Sequence, residues 1–229
     1  DCRKEGLVLS IDSYVPASYS AFYNWAEQGR VADYVVMMGY DEHYAGSEEA
    51  GSVASIGFVK EGVANTLKEV PADQLILGMP FYARVWSETP VDDTTGADST
   101  TQTSDNNNND TDETDNAAAD AQAADEAAGT SDSADSYQLF TLDSYATSMS
   151  EIQKLISTNA AEPVWSDIDG QYYVQYENNG ITYKIWVEDA ASLEEKLKVL
   201  QENQLAGGSF WKLGLELPSI WDTIIKYIN

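Results

Sequence analysis

Apolar runs alternate with helical patterns over residues 1–90. Three runs are predicted to be strands buried on both faces, as in a parallel sheet: Leu7–Tyr14, Tyr34–Met38 and Leu75–Phe81. Two segments with apolar residues at helical spacing separate them, one from Pro16 to Gln28 and one from Phe58 to Val70. Strands that alternate with helices indicate parallel βαβ units, and hence an α/β fold.

The pattern changes beyond residue 137. Ser148 and Glu151 have the spacing of a capping box and are predicted to open a short helix. Two segments of strand character, 171–176 and 181–187, then flank the Asn-Gly pair at 179–180, which is a strong signal for a type I′ hairpin. This part of the chain is therefore predicted to be a small antiparallel α+β piece.

The helix and strand pattern returns towards the end of the chain. Ser192 and Glu195 are spaced as a capping box and are predicted to open a helix. Leu205–Trp211 is predicted to be a fourth buried strand, and Pro218 to start a closing helix whose apolar positions include Ile225. The sequence thus predicts four parallel strands, with the α+β piece inserted between the third and the fourth.

Residues 91–136 form a low-complexity tract of Thr, Ser, Asn, Asp and Ala, with 13 acidic and no basic side chains. Such a segment buries too little apolar surface to offset its chain entropy, so it is predicted to be a disordered insertion. A calcium site at Asp105–Asp110 is a weak alternative, because this segment lacks the glycine and the distal glutamate of a calcium loop.

Charge and composition exclude several classes of partner. The net charge is −27, and outside the tract 39 − 13 = 26 acidic residues still face 12 basic ones. Nucleic acid and anionic lipid are therefore not expected partners. No apolar stretch approaches the roughly 20 residues of a membrane span. The single cysteine, Cys2, excludes an internal disulfide, and no metal or organic cofactor is expected.

The predicted strand Tyr34–Met38 ends abruptly in polar residues. Tyr40, Asp41, Glu42 and His43 follow it almost directly. The carboxyl ends of parallel strands are where α/β barrels hold their active sites, and a carboxylate beside a phenol can hold and polarise a sugar amide. The alternative is that these side chains only cap the end of a strand.

Three segments in chain order resemble motifs of glycoside hydrolase family 18, the chitinase family. Met38-Gly-Tyr-Asp41 resembles its M-x-Y-D motif on strand six, Gly78–Arg84 its G-x-P-x-Y-x-R segment at strand seven, and Ala206–Trp211 its strand eight. The α+β piece occupies the position of the family's insertion domain. The run from Tyr40 to Tyr44 resembles the bacterial spore-associated and cell-wall-lytic branch. The resemblance implies a partial TIM (β/α)8 barrel that contains strands five to eight.

The family's D-x-x-D-x-D-x-E signature on strand four, which ends in the glutamate that protonates the leaving oxygen, does not occur in this sequence. Since the sequence begins at Asp1, we expect that it lacks the N-terminal half of the barrel and that the acid lies upstream. The implied domains are 1–90 for barrel strands five to seven, 91–136 for the acidic insertion, 137–191 for the α+β subdomain and 192–229 for the last barrel helix, strand eight and closing helix.

The resemblance also assigns roles to individual side chains. In this family the substrate's own acetamido oxygen attacks the anomeric carbon, an exception to the scheme with two carboxylates. Tyr40 would donate a hydrogen bond to that oxygen, and Asp41 would help to place and polarise the same sugar ring. The implied substrate-binding residues are Met38, Tyr82, Arg84, Trp186 and Trp211.

Most of these side chains have a structural alternative. Trp211 would stack under a pyranose ring or fill the top of the barrel. Arg84 would bind sugar hydroxyls, pair with an upstream carboxylate or form a structural salt bridge. Trp186 would be a sugar platform or pack against the barrel. His43, the only histidine, has no catalytic partner in the pattern, and Glu42 lies on a different strand from the family's acid.

The implied function is hydrolysis of β-1,4 linkages beside N-acetylglucosamine, in peptidoglycan or chitin, by substrate-assisted retaining catalysis. The implied location is extracellular, at a cell wall or spore surface. This chain alone is expected to be inactive without the upstream glutamate. A carbohydrate-binding, lectin-like protein without catalysis is the alternative. A third reading is an incomplete product whose open sheet edges favour aggregation.

Overall fold

Two β-sheets and five helices make up the described part of the molecule. The computed structural model describes residues 2–91 and 139–227. In chain order the strands are β1 (Ser10–Tyr14), β2 (Tyr34–Met38), β3 (Leu75–Pro80), β4 (Tyr82–Pro90), β5 (Phe140–Ser148), β6 (Val164–Ser166), β7 (Gln171–Asn178), β8 (Ile181–Val187) and β9 (Gly207–Trp211). The helices are α1 (Trp25–Val31), α2 (Ile56–Thr66), α3 (Met149–Thr158), α4 (Ala190–Glu202) and α5 (Ile220–Ile224).

The first sheet is parallel and has the order β1-β2-β3-β9. The four predicted parallel strands are confirmed, with the bounds of β2 as predicted and the other three shorter. Tyr14 pairs with Met38, and Met38 with Gly78, so the carboxyl ends of the strands lie side by side. The chain after β2 passes close to β3 there. A Cβ added to Gly39 would lie only 2.9 Å from the carbonyl oxygen of Gly78, so the absence of a side chain permits this approach.

The second sheet is antiparallel and has the order β5-β4-β8-β7-β6. The predicted hairpin joins β7 to β8, and Asn179 and Gly180 have φ values of 52° and 78°, as a type I′ turn requires. Sequence analysis did not predict β4, β5 or β6. β4 follows β3 after a single residue and turns away from the parallel sheet to pair with β5 and β8.

Several helix boundaries differ from the prediction, and α2 spans Ile56–Thr66 rather than Phe58 to Val70. α1 begins at Trp25 rather than Pro16, because a 3-10 turn at Ser18–Ser20 precedes it, and Phe22 is therefore exposed rather than packed. The N-cap of α4 is Asp189 and not Ser192, whose hydroxyl instead accepts a hydrogen bond from the Asp189 amide. The closing helix is a short one, and Ile225 just beyond α5 is exposed.

Two apolar clusters hold the described residues together. The larger lies between the parallel sheet and its helices and includes Val35, Met37, Leu75, Leu77, Val59, Val63, Leu193 and Leu197. The smaller lies between one face of the antiparallel sheet and α3 and includes Ala83, Val85, Ile152, Val174 and Ile185. Ser148 caps α3 by accepting the Glu151 amide, as predicted.

Residues 1–90 and 140–229 form one unit, which contains both sheets. The acidic tract at 91–136, with its predicted disorder and the alternative calcium site, lies outside the described residues apart from Val91. Within 2–91 and 139–227 there is no helix long and apolar enough to cross a membrane. Nor does that part of the chain contain a cluster of His, Cys, Asp and Glu that could hold a metal ion.

Candidate functional site

Two phenols and a carboxylate meet at the carboxyl edge of the parallel sheet. Tyr40 and Asp41 follow β2, and Tyr82 opens β4 directly after β3 ends. The Tyr82 hydroxyl donates a hydrogen bond to Oδ1 of Asp41. The Tyr40 and Tyr82 rings stand edge to face, with centroids 6.3 Å apart. Asp41 has a φ of 61°, in the left-handed region that non-glycine residues seldom adopt, so the surrounding contacts must hold it there.

Both phenols keep their protons at neutral pH. Burial, followed by the charges of Asp41 and Asp12 and the neighbouring Tyr14, raises the pKa of Tyr40 to about 12. Burial and the Asp41 carboxylate raise the pKa of Tyr82 well above that of an exposed tyrosine. The Tyr82 hydroxyl already donates its hydrogen bond to Asp41. Of the two tyrosines, Tyr40 is therefore the one whose hydroxyl can donate to a ligand.

Arg84 lies two residues along β4 from Tyr82. One guanidinium nitrogen donates to the Ser144 hydroxyl at 3.0 Å, and the guanidinium lies 5.8 Å from the ring centroid of Trp86. Burial lowers the pKa of Arg84, and the nearby Asp41 charge acts in the opposite direction. None of the ion pairs among the described residues includes Arg84, and its Nε has no hydrogen-bond partner there. The side chain therefore keeps donors for a ligand or for a group outside these residues.

Trp211 ends β9, opposite Pro80 in the parallel register. Its carbonyl accepts the Phe81 amide at 2.7 Å, which ties the end of β9 to the start of β4. Trp211 is 52% exposed, whereas Phe210 beside it stacks on Phe81 with centroids 4.8 Å apart. The packing role at this strand end thus falls to Phe210, and the indole of Trp211 is about half exposed, with the Lys212 ammonium 6.0 Å from its ring centroid.

Met38 and Trp186 are the remaining predicted site residues. Met38 is partly buried at the end of β2, two residues before Tyr40. Trp186 projects from the face of the antiparallel sheet opposite Ile185 and Val187, as strand alternation requires. Its indole nitrogen donates to Asp169 at 3.2 Å, and its ring lies 4.9 Å from that of Tyr173. The structure therefore gathers Tyr40, Asp41, Tyr82 and Arg84 near one point, and places Trp186 on β8, the strand that pairs with β4 from Val85 onwards.

Glu42 and His43 are engaged in holding the loop that follows β2. The Glu42 carboxylate accepts the backbone amide of Ser55 at 2.7 Å and its hydroxyl at 3.0 Å, at the start of α2. The Nδ1 atom of His43 lies 2.9 Å from the carbonyl oxygen of Ser52. The His43 ring also packs on Gly51, where an added Cβ would meet it at 2.4 Å.

Sequence analysis missed two residues that support Arg84. Trp86 is buried, and its indole nitrogen donates to the carbonyl of Gly51 at 2.8 Å. Strand alternation would have placed it on the Arg84 face of β4 had that strand been predicted. Ser144 lies on β5, some 60 residues along the chain from Arg84, and no local pattern links the two.

Comparison with known proteins shows the family of the chain. The sequence model for glycosyl hydrolases family 18 matches residues 3–216. The cortical fragment-lytic enzyme of Bacillus subtilis is 25% identical over 235 residues, covering 99% of this chain and 43% of that protein. The uncharacterized glycosylase YvbX of Bacillus subtilis is 24% identical over 205 residues, covering 89% of this chain and 45% of that protein.

Solved structures share the fold. The spore cortex-lytic enzyme SleL of Bacillus megaterium has a TM-score of 0.69 at 18% identity, covering 99% of this chain and 42% of that chain. A chitinase from Chromobacterium violaceum has a TM-score of 0.69 at 18% identity, covering 98% of this chain and 56% of that chain. This chain therefore spans about half the length of the relatives it matches. With the family model matching nearly its whole length, the chain belongs to glycosyl hydrolases family 18.

Proposed function

We propose that the carboxyl edge of the parallel sheet binds an N-acetylglucosamine unit, and that the whole protein hydrolyses the β-1,4 linkage beside it. The observation that carries this proposal is the group formed by Tyr40, Asp41 and Tyr82. It offers a protonated phenol and a fixed carboxylate within one small space. Such preorganised groups stabilise charge as it develops, without the cost of reorganising solvent.

The proposed chemistry uses the substrate's own acetamido group. Its carbonyl oxygen attacks the anomeric carbon while an acid protonates the departing glycosidic oxygen, and a cyclic intermediate forms. Water then attacks the same carbon and opens the ring of that intermediate. The two displacements together retain the anomeric configuration. Tyr40 donates to the acetamido oxygen, and Asp41, held by Tyr82, orients and polarises that group. Trp211 supports the pyranose face with its exposed ring.

The glutamate that would act as the acid is proposed to lie in a segment outside this sequence, because the D-x-x-D-x-D-x-E pattern does not occur in it. The two outer strands of the parallel sheet, β1 and β9, each pair with one neighbour among the described residues. We propose that these edges continue into the other half of a (β/α)8 barrel, with this chain supplying strands five to eight. We also propose that the protein acts outside the cell, on a cell wall or spore surface, because similar proteins are a cortical fragment-lytic enzyme and a spore cortex-lytic enzyme.

The test is release of reducing ends by the full-length protein, using peptidoglycan and chitin in parallel. Tyr40→Phe and Asp41→Asn are expected to lower the rate by about tenfold to a thousandfold, the range for losing one group that stabilises developing charge. Tyr145→Phe, on the opposite face of the antiparallel sheet from Arg84, is the control that should retain the wild-type rate. A wild-type protein that released no ends from either polymer would contradict hydrolysis.

Binding without hydrolysis is the second candidate, and one observation favours it. The two carboxylates that follow β2 both act as acceptors, Asp41 from Tyr82 and Glu42 from Ser55, so neither is free to serve as the acid. A lectin-like protein would retain affinity for chitotriose without turnover. If Trp211→Ala left that affinity unchanged, the sugar site itself would be in the wrong place.

A further inference from the structure

Asp41 lies between two backbone amides that are anchored by hydrogen bonds. On one side, the Gly39 amide donates to the carbonyl of Gly78 in β3 at 3.0 Å. On the other side, the Glu42 amide donates to the carbonyl of Val53 at 3.0 Å. The chain has to turn between these anchors, and it does so with the left-handed φ of 61° at Asp41. Because that conformation is unfavourable for a residue with a side chain, the direction of the Asp41 carboxylate depends on both anchors.

The second anchor belongs to residues 51–56, which the antiparallel sheet holds at both ends. At the first end, the indole nitrogen of Trp86 on β4 donates to the carbonyl of Gly51 at 2.8 Å. At the last end, the Ile56 amide donates to the carbonyl of Asp169, just before β7, at 2.8 Å. The second sheet therefore determines where this segment lies.

Gln171 contacts the middle of the same segment. It is the first residue of β7, and its side-chain oxygen accepts a hydrogen bond from the Ser52 hydroxyl. The Ser52 oxygen in turn accepts the amide of Ala54 at 2.9 Å. All three residues are buried, so a lost hydrogen bond here would leave polar groups that water does not reach.

Glu188 determines which way the Gln171 amide faces. The Lys196 ammonium can only donate, and it lies 3.0 Å from Oε1 of Glu188, so this carboxylate acts as an acceptor. The amide nitrogen of Gln171 donates to the same Oε1 at 2.7 Å, which leaves the amide oxygen for Ser52. The reverse orientation would set the amide oxygen against a carboxylate. The Gln171 side chain thus has one favourable orientation, in which it accepts from Ser52.

We propose that Gln171 is a positioning residue for Asp41 and acts through Ser52. By holding residues 51–56 at their middle, it fixes the Val53 carbonyl, and hence the turn that directs the Asp41 carboxylate towards Tyr82. The inference rests on the proposed function. It adds to that function a residue of the antiparallel sheet that lies 119 positions along the chain from Ser52.

The first test separates kcat from KM for the full-length protein, with chitohexaose and soluble peptidoglycan fragments as substrates. Ser52→Ala and Gln171→Met remove the hydrogen bond from either side. Each should lower kcat by about tenfold to a hundredfold, since a small misplacement of a group at the reacting centre has an effect of this size. KM should change by less than about twofold, because Asp41 acts on charge that develops in the transition state.

The Asp41→Asn background shows whether the effect passes through Asp41. Without the carboxylate there is no charge to position, so adding Ser52→Ala or Gln171→Met to Asp41→Asn should lower kcat by less than about twofold. Ile152→Val is the matched control for a general loss of stability. Ile152 is buried in the smaller apolar cluster, to which no residue of the loop after β2 belongs. This variant should lower the thermal midpoint and leave kcat unchanged.

Amide hydrogen exchange supplies a readout that needs no turnover. The Glu42 amide bonds to the carbonyl of Val53, and local opening of the loop exposes it. It should exchange about tenfold faster in Ser52→Ala and Gln171→Met than in the wild type, because one hydrogen bond fewer opposes that opening. The exchange rate in Ile152→Val should match the wild type.

The outcomes separate this inference from the proposed function. A wild-type protein without turnover, but with the expected exchange rates, would overturn hydrolysis and support the hold of Gln171 on the loop. Turnover with the same kcat in the wild type and both variants would overturn the positioning role alone. Equal losses of kcat in the presence and absence of the Asp41 carboxylate would also overturn it, and so would an unchanged exchange rate at Glu42.

Discussion

The Lys196 ammonium lies 3.0 and 3.1 Å from the two carboxylate oxygens of Glu188, and both side chains are fully buried. The Gln171 amide and the Ser192 hydroxyl each donate to the same carboxylate at 2.7 Å. Gln171 in turn accepts the hydroxyl of Ser52, in the loop that follows β2. Burial raises the pKa of Glu188, and Lys196 and the hydrogen bonds oppose that shift. The pair therefore joins α4, β7 and the loop after β2 through a buried polar network in which Glu188 accepts from Lys196, Gln171 and Ser192.

Removing one partner of this pair is expected to be costly. Lys196→Met leaves the Glu188 carboxylate buried without its counter-charge, and should lower the free energy of unfolding by about 3–5 kcal/mol. The double variant Glu188→Gln, Lys196→Met should be more stable than Lys196→Met alone, since it leaves no unpaired charge. Urea denaturation of the three proteins measures both differences.

The matched control is the neighbouring lysine on the same helix. Lys198 pairs with Glu195 at the surface, so Lys198→Met should cost no more than about 1 kcal/mol. Equal costs for Lys196→Met and Lys198→Met would mean that the buried pair contributes nothing beyond a surface pair.

The same residues show how far sequence reasoning reaches. Ser192 had the spacing of a surface cap, and the helix it was predicted to open does exist. Its burial and its bond to Glu188 depend on how α4 packs, which local spacing does not encode. Likewise, Phe22 had helical spacing, but the buried hydroxyl of Ser20 stabilises a turn there instead.

Long-range pairing explains why the parallel strands were predictable and part of the second sheet was not. β2 is apolar at every position, which made it visible as the run Tyr34–Met38, although among the described residues only Val35 and Met37 are buried and the alternate positions are partly or fully exposed. The same run also located Tyr40 and Asp41, because residues that follow a parallel strand lie at the carboxyl edge of the sheet. β5 is largely exposed and partners β4 across the acidic tract, so neither periodicity nor spacing pointed to it.

Tyr40→Phe should reduce selectivity for the acetamido group. The variant removes the phenol hydroxyl proposed to donate to the acetamido oxygen and leaves the ring against Tyr82. We expect the affinity for chitotriose to fall by about threefold to tenfold, the range for one hydrogen bond, while cellotriose, which has hydroxyls in place of acetamido groups, is unaffected. Calorimetric titration of both sugars gives the ratio. A parallel loss for the two sugars would indicate a disturbed site rather than a lost donor.

Tyr40 should also make the protein less stable at alkaline pH. Its pKa is raised by burial to about 12, above the 10.0 of an ordinary phenol. The unfolded chain therefore releases this proton first. The stability tied to the neutral phenol is intact below about pH 10 and is lost as the pH rises towards 12. Urea denaturation at several pH values across this window should show a steeper fall for the wild type than for Tyr40→Phe. Tyr82→Phe removes the other phenol of raised pKa and should also flatten the fall in stability. If the stability profiles of the wild type and the two variants were superimposable, the folded state would not favour the neutral form of either phenol.

Glu42 should prove to be an anchor for α2 rather than a proton donor. Its carboxylate accepts two hydrogen bonds from Ser55, the N-cap residue, beside the positive end of the helix dipole. Glu42→Gln removes the charge but keeps the size of the side chain, and should lower the free energy of unfolding by about 1 kcal/mol. Glu48→Gln, an exposed acid in the same loop, should change stability by less than about 0.5 kcal/mol. Release of reducing ends by the full-length protein should then retain its pH profile in both variants. A catalytic acid would behave in the opposite way. Its loss would remove most of the rate and the alkaline limb of the pH–rate profile, which reports deprotonation of the acid, while the stability of the fold would be unchanged.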